Sequence, residues 1–278
     1  MKLTITRLSF LLMAASLVMA QGCNKLEEPE EAVDNSGAGS YNPANCILAN
    51  DQYRCQLLGF GFEFDYQHID VKFDEYGRPV RFGDKDISYT ETSDGCRVRF
   101  RKDGTTRVTF TLGSNGFAKT AVDDAGVKFK FSYDADGHLI YGSNDCDDSF
   151  TATYKDGNMT ECKVRGNNSD GMSITVSYTS LPNFGYMPYG FCKGNGKEGE
   201  FMFDWFFDYI KEGYLIGILG KPSANLPSQY VEEGSWYATN FINQYWSMEE
   251  DNIYYHHYGW SSEIGYAIQD WRDHPDGK

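Results

Sequence analysis

The chain lacks the sequence signatures that identify several common enzyme classes. It has no Gly-x-Ser-x-Gly nucleophile motif, no His-Glu-x-x-His zinc motif and no phosphate-cradling glycine loop. No Cys-x-x-Cys spacing occurs among its seven cysteines, which argues against a zinc ribbon or a thioredoxin-type centre. The sequence therefore assigns no catalytic residue, no metal site and no cofactor, and we expect a protein that is not an enzyme.

Basic residues are scarce relative to acidic ones. The chain has 25 Lys and Arg residues against 40 Asp and Glu residues, a formal net charge of −15. Residues 1–22 hold two basic residues and no acidic ones, so their removal leaves 23 against 40, a net charge of −17. Nucleic acids and anionic headgroups are bound largely through Lys and Arg, so this balance argues against both as partners.

The N-terminal hydrophobic stretch is too short for a membrane-spanning helix. Lys2 and Arg7 precede a mostly apolar run, Leu8 to Val18, which ends at Ala20-Gln21-Gly22-Cys23. Small residues before a cysteine are typical of a bacterial lipoprotein signal peptide, in which the cysteine sulfur carries the lipid. We expect residues 1–22 to be removed and Cys23 to anchor the protein in the outer membrane. The alternative is an ordinary secretory signal cut near Ala20.

An acidic segment follows the predicted anchor. Glu27, Glu28, Glu30 and Glu31 lie within a stretch, residues 23–44, that has no apolar periodicity. Such a composition predicts a flexible, solvated tether. The acidic run also resembles the surface-export signal of Bacteroidota-type lipoproteins, which implies exposure at the cell surface.

The six remaining cysteines form an even set in an exported chain, so up to three disulfides are expected in an oxidising compartment. Short sequence separation favours the pairs Cys46–Cys55 and Cys146–Cys162, which leaves Cys96 with Cys192. Reduced, buried cysteines are the alternative.

Apolar and polar residues alternate with a period of two over much of the chain. This alternation predicts antiparallel strands with one buried and one solvated face, as a β-meander over residues 57–180. The alternating segments include 60–66, 69–73, 97–101, 107–112, 127–133 and 174–178. Dipeptides that favour tight hairpins separate them at Asp94-Gly95, Asp103-Gly104, Asn115-Gly116, Asp136-Gly137 and Asp156-Gly157.

The alternating sequence pattern ends after residue 180. Residues 181–213 read as a loop followed by one apolar helix from Phe201 to Ile210, whose polar stripe includes Asp204 and Asp208. Further strands are expected over residues 214–278. Residues 45–278 are thus predicted to form a single all-β domain, a curved sheet or partly closed barrel with one helix packed on it, monomeric by default.

The segment Leu219-Gly220-Lys221-Pro222-Ser223-Ala224-Asn225-Leu226-Pro227 resembles the Leu-Gly-x-x-Ser-x-Asn-Leu-Pro signature of an uncharacterised Bacteroidota lipoprotein domain family with a porin-like fold. The resemblance in layout covers roughly residues 50–270. It implies a large, strongly curved antiparallel sheet and no particular chemistry.

The residue types of this segment also predict its structural role without the resemblance. Gly217 and Gly220 allow close backbone approach, and Pro222 and Pro227 stiffen the chain. Ser223 and Asn225 can satisfy backbone groups locally. These properties predict a structural crossing from the helix back to the sheet.

Aromatic residues are concentrated at the C-terminal end, where all five tryptophans follow residue 200. In the run Tyr254-Tyr255-His256-His257-Tyr258-Gly259-Trp260, a strand would carry aromatics on both faces. Trp246, Tyr255 and Trp260 are therefore candidates for an exposed surface on which a sugar ring stacks. Packing in the core explains the same residues.

Two groups of acidic residues suggest a functional site but can each be explained as ordinary surface structure. Asp145, Asp147 and Asp148 could supply oxygen ligands to calcium, but they lack the full ligand pattern and read better as a solvated turn. Asp204 and Asp208 could form a glycosidase-like pair, but their spacing fits the polar stripe of a helix.

Three functional hypotheses follow. The first is a lipid-anchored, non-catalytic binding or accessory module for a glycan or a protein. The second is a structural or envelope-assembly component that engages another outer-membrane protein. The third is a hydrolase with an unrecognised carboxylate pair.

Overall fold

The computed structural model describes residues 26–32, 53–62, 67–68, 71–93, 95–166, 171–183, 213, 216–234, 237–243, 245–248, 253–258 and 262–270. These residues form eighteen β-strands, and Gly213 is the single described residue with helical backbone. The strands are β1 Tyr53–Phe62, β2 Gln67–His68, β3 Val71–Phe73, β4 Pro79–Phe82, β5 Lys85–Thr92, β6 Gly95–Lys102, β7 Thr105–Leu112, β8 Ala118–Asp123, β9 Lys128–Tyr133, β10 Leu139–Asn144, β11 Ser149–Lys155, β12 Asn158–Arg165, β13 Met172–Pro182, β14 Asn225–Gly234, β15 Tyr237–Asn243, β16 Tyr245–Met248, β17 Ile253–Tyr258 and β18 Ser262–Asp270.

Thirteen of these strands pair in chain order as one antiparallel meander, from β3 to β15. Each strand pairs with its neighbours in sequence, because short turns between antiparallel strands bring consecutive strands together. Within the described residues β3 and β15 do not pair with each other, so this sheet is open. The prediction of an all-β antiparallel meander is confirmed.

The remaining five strands form a second sheet in the order β16-β17-β18-β1-β2. The first and last strands pair over their lengths, from Tyr53 opposite Asp270 to Phe62 opposite Ser262. Only residues 69–70 separate β2 from β3, and only residue 244 separates β15 from β16. The two sheets are therefore consecutive along the chain at both junctions.

One face of the thirteen-strand sheet carries the hydrophobic core. In β6, Cys96, Val98 and Phe100 are buried, whereas the alternating residues Arg97 and Arg101 are exposed. The same alternation places Phe129, Phe131 and Tyr133 of β9 in the core. Phe100 packs edge-on against Phe110 of β7, with ring centroids 5.8 Å apart. We call the opposite side, which bears Arg97, Lys128 and Lys130, the polar face.

Two of the predicted tight hairpins have the expected geometry. Asp103-Gly104 and Asp156-Gly157 have positive φ at both residues, 52° and 75° in the first pair and 53° and 76° in the second. This is the conformation of a type I′ turn, whose twist matches that of the flanking strands.

Most other described turns of the meander are longer than the dipeptides predicted. Asn115-Gly116 and Asp136-Gly137 lie inside five-residue turns, in which the glycine has positive φ and the residue before it does not. In the turn 134–138, the Asp134 N–H donates to the His138 carbonyl at 3.0 Å and the Gly137 N–H donates to the Asp134 carbonyl at 3.1 Å. Asp134 Oδ1 also accepts hydrogen bonds from the N–H groups of Asp136 and His138. The first aspartate thus closes the turn.

The same two backbone hydrogen bonds recur at 74–78, 113–117 and 123–127, and the bond from the first N–H to the fifth carbonyl recurs at 144–148. In the turn 144–148, Asn144 Oδ1 accepts from the N–H groups of Cys146 and Asp148, and Asp147 takes the positive φ of 70°. The acidic cluster around Cys146 is therefore explained as a turn, in agreement with the simpler of the two sequence interpretations.

The predicted Cys146–Cys162 disulfide is wrong. Cys146 is an exposed, reduced thiol in the turn between β10 and β11, whereas Cys162 is a fully buried thiol on the core face of β12. Short sequence separation favoured this pair. However, side chains alternate between the two faces along β12, and this alternation places Cys162 on the core face, away from the turn that holds Cys146. Cys96 is also a buried residue of the core, and its predicted partner is not among the described residues. Cys46 and Cys192 lie outside the described residues, and Cys55 lies in β1.

Several other predicted features fall outside the described residues. These are the signal peptide, Cys23, residues 33–44 and the predicted helix from Phe201 to Ile210. No helix in the described part of the chain is long and apolar enough to cross a membrane.

We predict that the three described thiols differ sharply in reactivity. Burial, with a further contribution from Glu161, raises the pKa of the Cys162 thiol far above its ordinary value, and the thiolate is the reactive form. Iodoacetamide at pH 8 should therefore label Cys146 in the folded protein, while Cys96 and Cys162 are labelled only after unfolding in urea. Peptide mass spectrometry measures the three sites together. A peptide in which Cys146 is linked to Cys162 would contradict this.

Candidate functional site

The segment that carries the Leu-Pro signature crosses one end of the thirteen-strand sheet. Its backbone bonds to three alternate hairpins, β7–β8, β9–β10 and β11–β12. The Ala118 N–H donates to the Ile218 carbonyl at 2.7 Å, the Lys221 N–H to the Gly137 carbonyl at 2.8 Å, and the Ala224 N–H to the Gly157 carbonyl at 2.9 Å. We call residues 216–224 the crossing segment. The prediction of a structural crossing that leads back to the sheet is confirmed, whereas the helix expected before it is outside the described residues.

The first part of the crossing segment belongs to the core. Ile216, Ile218 and Leu219 are buried in the same cluster as the apolar side chains of β5 to β14. Gly213, just before the segment, lies so close to Phe110 that an added Cβ would be 2.6 Å from the ring. The segment therefore covers apolar side chains that the sheet alone would leave exposed to solvent.

Gly220 is required where the segment meets the hairpin between β9 and β10. Its φ is 95°, a value that side chains disfavour, and an added Cβ would be 2.9 Å from the Leu139 nitrogen and 3.0 Å from the Gly137 carbonyl oxygen. Gly217 also has a positive φ, 78°. Close backbone approach was predicted for both glycines, and the distances at Gly220 confirm it there.

The polar residues of the segment reach distant strands. Ser223 Oγ accepts from the Met159 N–H at 3.2 Å and lies 2.9 Å from the Tyr178 hydroxyl. The Tyr178 hydroxyl in turn donates to the Met159 carbonyl at 2.8 Å. Ser223 is only 3% exposed. The prediction that Ser223 bonds to backbone groups nearby in sequence is therefore wrong, because its partners lie on β12 and β13.

Asn225 makes a reciprocal contact with Asn158 at the start of β12. The Asn225 N–H donates to Asn158 Oδ1 at 2.9 Å, and Asn158 Nδ2 donates to Asn225 Oδ1 at 3.0 Å. Asn225 Nδ2 also donates to the Leu181 carbonyl at 3.3 Å. Here too the partners are distant in sequence, so the local bonding expected for Asn225 is also wrong.

A group of titratable residues lies beside the crossing segment in the turn 134–138. Asp134, Asp136 and His138 each offer one ligand atom, and these atoms lie within 4.8 Å of one another. His138 is buried, bonds to Asp134 Oδ2 through Nδ1 at 3.0 Å, and stacks on Tyr154 with ring centroids 4.3 Å apart. Carboxylates and imidazole are the groups that bind divalent metals.

The related turn 74–78 gives a structural explanation for this cluster. There Arg78 occupies the position of His138, and its Nε donates to Asp74 Oδ2 at 2.7 Å. Asp74 Oδ1 accepts from the N–H groups of Tyr76 and Arg78, as Asp134 Oδ1 does in its own turn. Both oxygens of the first aspartate are engaged within the turn in each case. His138 is therefore best explained as a partner that holds Asp134.

The N-terminal segment Leu26–Ala32 contacts the polar face, which composition alone did not anticipate. The Leu26 N–H donates to Ser149 Oγ at 2.7 Å. The two carboxylate oxygens of Glu28 accept from Lys130 Nζ and Ser132 Oγ. Partial burial opposes ionisation of Glu28, but the hydrogen bonds from Lys130 and Ser132 hold its pKa below the ordinary value.

Two of the three aromatic ligand-binding candidates lie in described strands. Trp246 of β16 pairs with His256, whereas Tyr255 of β17 pairs with Ser247 and with Gly265 of β18. Because successive strand residues belong to opposite faces, the positions of Trp246 and Tyr255 are on opposite faces of this sheet. A stacking surface would therefore use one of them and not both. Trp260 lies outside the described residues.

Comparison with known proteins supports the fold and no particular activity. No protein-family model and no curated protein matches the chain. A porin-like protein from Bacteroides uniformis is similar in structure, with a TM-score of 0.53 and 14% identity over 77% of this chain and 98% of that one. A porin-like protein from Bacteroides vulgatus gives a TM-score of 0.48 and 12% identity over the same shares of the two chains. The likeness to the Bacteroides uniformis protein shows that the chain has a porin-like β fold.

We predict that Gly220→Ala destabilises the protein more than Gly126→Ala. Both glycines have positive φ, but a Cβ at Gly126 would meet nothing within 4 Å. Gly126→Ala should therefore cost roughly 1 kcal/mol from backbone strain. Gly220→Ala should cost about 1–3 kcal/mol more, because backbone atoms must move. Urea unfolding measures both, and equal losses would contradict the close contact of the crossing segment with the hairpin.

We also predict an alkaline loss of stability that depends on Tyr178. Burial, only partly offset by the hydrogen bonds to Ser223 and Met159, raises the pKa of Tyr178 from 10.0 to about 12. A pKa raised by folding gives stability that is complete below the unfolded value and is lost as pH rises from 10 towards 12. The loss approaches roughly 2–3 kcal/mol.

Tyr178→Phe tests this prediction because phenylalanine cannot ionise. The variant should be about 1–2 kcal/mol less stable than the unaltered protein at pH 8, since the hydrogen bonds are lost. This gap should shrink or reverse by pH 11.5. A gap of constant size in denaturant unfolding at both pH values would show that Tyr178 does not titrate as described.

Proposed function

We propose that this protein is a lipid-anchored protein of the outer-membrane surface that acts as a non-catalytic binding or accessory module for a glycan or a protein. The anchor is Cys23, at the end of the Ala20-Gln21-Gly22-Cys23 sequence. The likeness of the fold to that of a porin-like protein from Bacteroides uniformis adds support. So does the resemblance of the crossing segment to the signature of a Bacteroidota lipoprotein domain family.

The observation that carries the non-catalytic part is the bonding of the polar residues beside the crossing segment. The hydroxyls of Ser223 and Tyr178 bond to each other and to the backbone of Met159. The Asp134 carboxylate is held by backbone N–H groups and His138. A nucleophile or general base needs an accessible atom directed at a substrate. These groups instead serve the junction of the hairpins.

The aromatic positions of β16 and β17 are the proposed ligand contacts. Aromatic rings stack on the apolar faces of sugars, and the C-terminal strands are the part of the chain richest in tryptophan. Trp246 and Tyr255 lie at register positions on opposite faces, so one of them should dominate.

Protein partnership is the second candidate function. The end strands β3 and β15 of the thirteen-strand sheet do not pair with each other in the described residues. Unpaired strand edges can add a strand from a partner. This observation favours an envelope-assembly role if no glycan is bound.

Affinity electrophoresis against a broad polysaccharide panel tests the proposal. The protein is the mature chain with Cys23→Ser, which keeps the docked segment Leu26–Ala32. We expect retardation by one glycan class. Either Trp246→Ala or Tyr255→Ala, but not both, should weaken it roughly fivefold to tenfold, as loss of one aromatic contact implies.

Tyr76→Ala is the matched control, because Tyr76 is an exposed aromatic on the turn 74–78 of the other sheet. It should leave retardation unchanged. Absence of retardation on every glycan would contradict the glycan proposal and direct the search to crosslinking of protein partners on intact cells. Equal effects of all three variants would show that binding is not located at these strands.

A further inference from the structure

The N-terminal segment crosses strand β10 on the polar face. The Leu26 N–H donates to Ser149 Oγ of β11 at 2.7 Å. Two residues further on, the Glu28 carboxylate accepts from Lys130 and Ser132 of β9. Because β10 is paired between β9 and β11, the chain must pass over it to reach both contacts. The segment therefore lies across the strands and not along one of them.

This crossing explains why polar-face positions are buried at these strands. Tyr141 of β10 pairs with Ser132 of β9 and is 6% exposed, although it does not belong to the hydrophobic cluster on the opposite face. Ser149 of β11 is 0% exposed. The polar-face positions one strand further on either side, Thr120 of β8 and Arg165 of β12, are exposed. The cover is thus confined to the strands that the N-terminal segment contacts or crosses.

The segment itself has a buried and an exposed side. Its apolar residues are half-buried, namely Leu26, Pro29 and Ala32. The Ala32 N–H donates to the Pro29 carbonyl at 3.1 Å, so the segment ends in a turn. Its glutamates other than Glu28 are exposed, namely Glu27, Glu30 and Glu31. Apolar contact and the hydrogen bonds of Leu26 and Glu28 together hold the segment on the sheet.

This contact is small compared with the pairing of the strands. Within the described residues, three hydrogen bonds join the segment to the sheet, one from Leu26 and two to Glu28. The side chains of Lys130 and Glu28 are 57% and 33% exposed, so dissolved salt screens their ion pair. Segments that few contacts hold open without unfolding of the whole domain. Such a contact opens locally, and more readily at high ionic strength.

The same contact sets how far the sheet can move from the proposed anchor. Leu26 is three residues from Cys23, and three extended residues span at most about 10 Å. Among the described strands the first begins at Tyr53, thirty residues after Cys23. A flexible chain of that length has an average end-to-end distance of roughly 30 Å. Release of the segment would therefore increase the reach of the sheet roughly threefold.

We propose that the N-terminal segment is a latch, which holds the sheet close to the lipid anchor when it is docked and lets the sheet move away when it is released. This rests on the proposed lipid anchor at Cys23. The docked state is favoured at low ionic strength, because the contact of Glu28 with Lys130 is charge-assisted. The neighbouring glutamates favour release, since charged groups are solvated best in water.

Cleavage by a glutamate-specific protease measures release of the segment in the mature chain with Cys23→Ser. A free peptide of residues 24–34 gives the rate for the undocked sequence at each salt concentration. We expect the segment to be cleaved about tenfold more slowly than the peptide in 0.05 M NaCl, because the protease cuts the released form. In 0.5 M NaCl this protection should fall about threefold, since salt screens the ion pair.

Two lysine variants identify the contact that holds the latch. Lys130→Met should lower the protection about threefold already in 0.05 M NaCl and remove its dependence on salt. Lys128→Met is the matched control, because Lys128 lies two residues away on the same face of β9, and it should leave protection and salt dependence unchanged. Cleavage of the unaltered segment at the rate of the peptide in 0.05 M NaCl would overturn the docking. Protection that survives both 0.5 M NaCl and Lys130→Met would show a fixed part of the sheet and no latch.

Energy transfer from a dye on Cys146 to acceptor lipids tests the change in reach. Cys146 is an exposed thiol three residues from Ser149, so the dye stays near the anchor while the segment is docked. The full lipidated chain is inserted into phosphatidylcholine vesicles, and Cys146→Ser gives the background from other thiols. Transfer should fall in Lys130→Met and stay unchanged in Lys128→Met. Equal transfer from both variants and the unaltered chain would overturn the change in reach.

Flotation of the vesicles separates failure of the anchor from failure of the latch. The unaltered chain should float with the vesicles, and Cys23→Ser should not. If the unaltered chain does not float, the anchor is wrong and the change in reach falls with it. If it floats but its segment is cleaved at the same rate as the free peptide, the anchor stands and the latch alone is wrong.

Discussion

The structure depends on the contact between the crossing segment and the ends of the hairpins. A meander of thirteen strands places its apolar side chains on one face, because side chains alternate along each strand, and that face must be covered. The crossing segment bonds to the hairpins at Ala118, Gly137 and Gly157 and inserts Ile216, Ile218 and Leu219 into the core. Apolar burial and backbone hydrogen bonding are thus satisfied by the same nine residues.

The strands and the crossing could be predicted because their signals are local. Alternation assigned Val98 and Phe100 to the core and Arg97 to the solvated face, since side chains alternate along a strand regardless of partners. Gly220 indicated close backbone approach because glycine has no side chain to obstruct it. The turns were predicted less well. An Asp-Gly dipeptide does not reveal whether the residue three positions before glycine can close a larger loop with its side chain, as Asp134 does.

Other features could not be predicted because they are decided by tertiary contacts. The disulfide prediction relied on sequence separation, but Cys162 lies on the core face and Cys146 at a turn. The partners of Ser223 and Asn225 lie on strands far away in sequence. Net charge did not predict the docking of the N-terminal segment either, because an average over the chain cannot show that Glu28 meets Lys130 and Ser132 of β9.

The role of the crossing segment is tested most directly by native-state hydrogen exchange of the amides of Ala118, Lys221 and Ala224. If the segment is an integral part of the core, these amides should exchange only through global unfolding, with the same free energy and denaturant dependence as protected amides of β7 and β9. Exchange through a local opening, at least a hundredfold faster and insensitive to denaturant, would show that the segment is a detachable loop and would contradict this account.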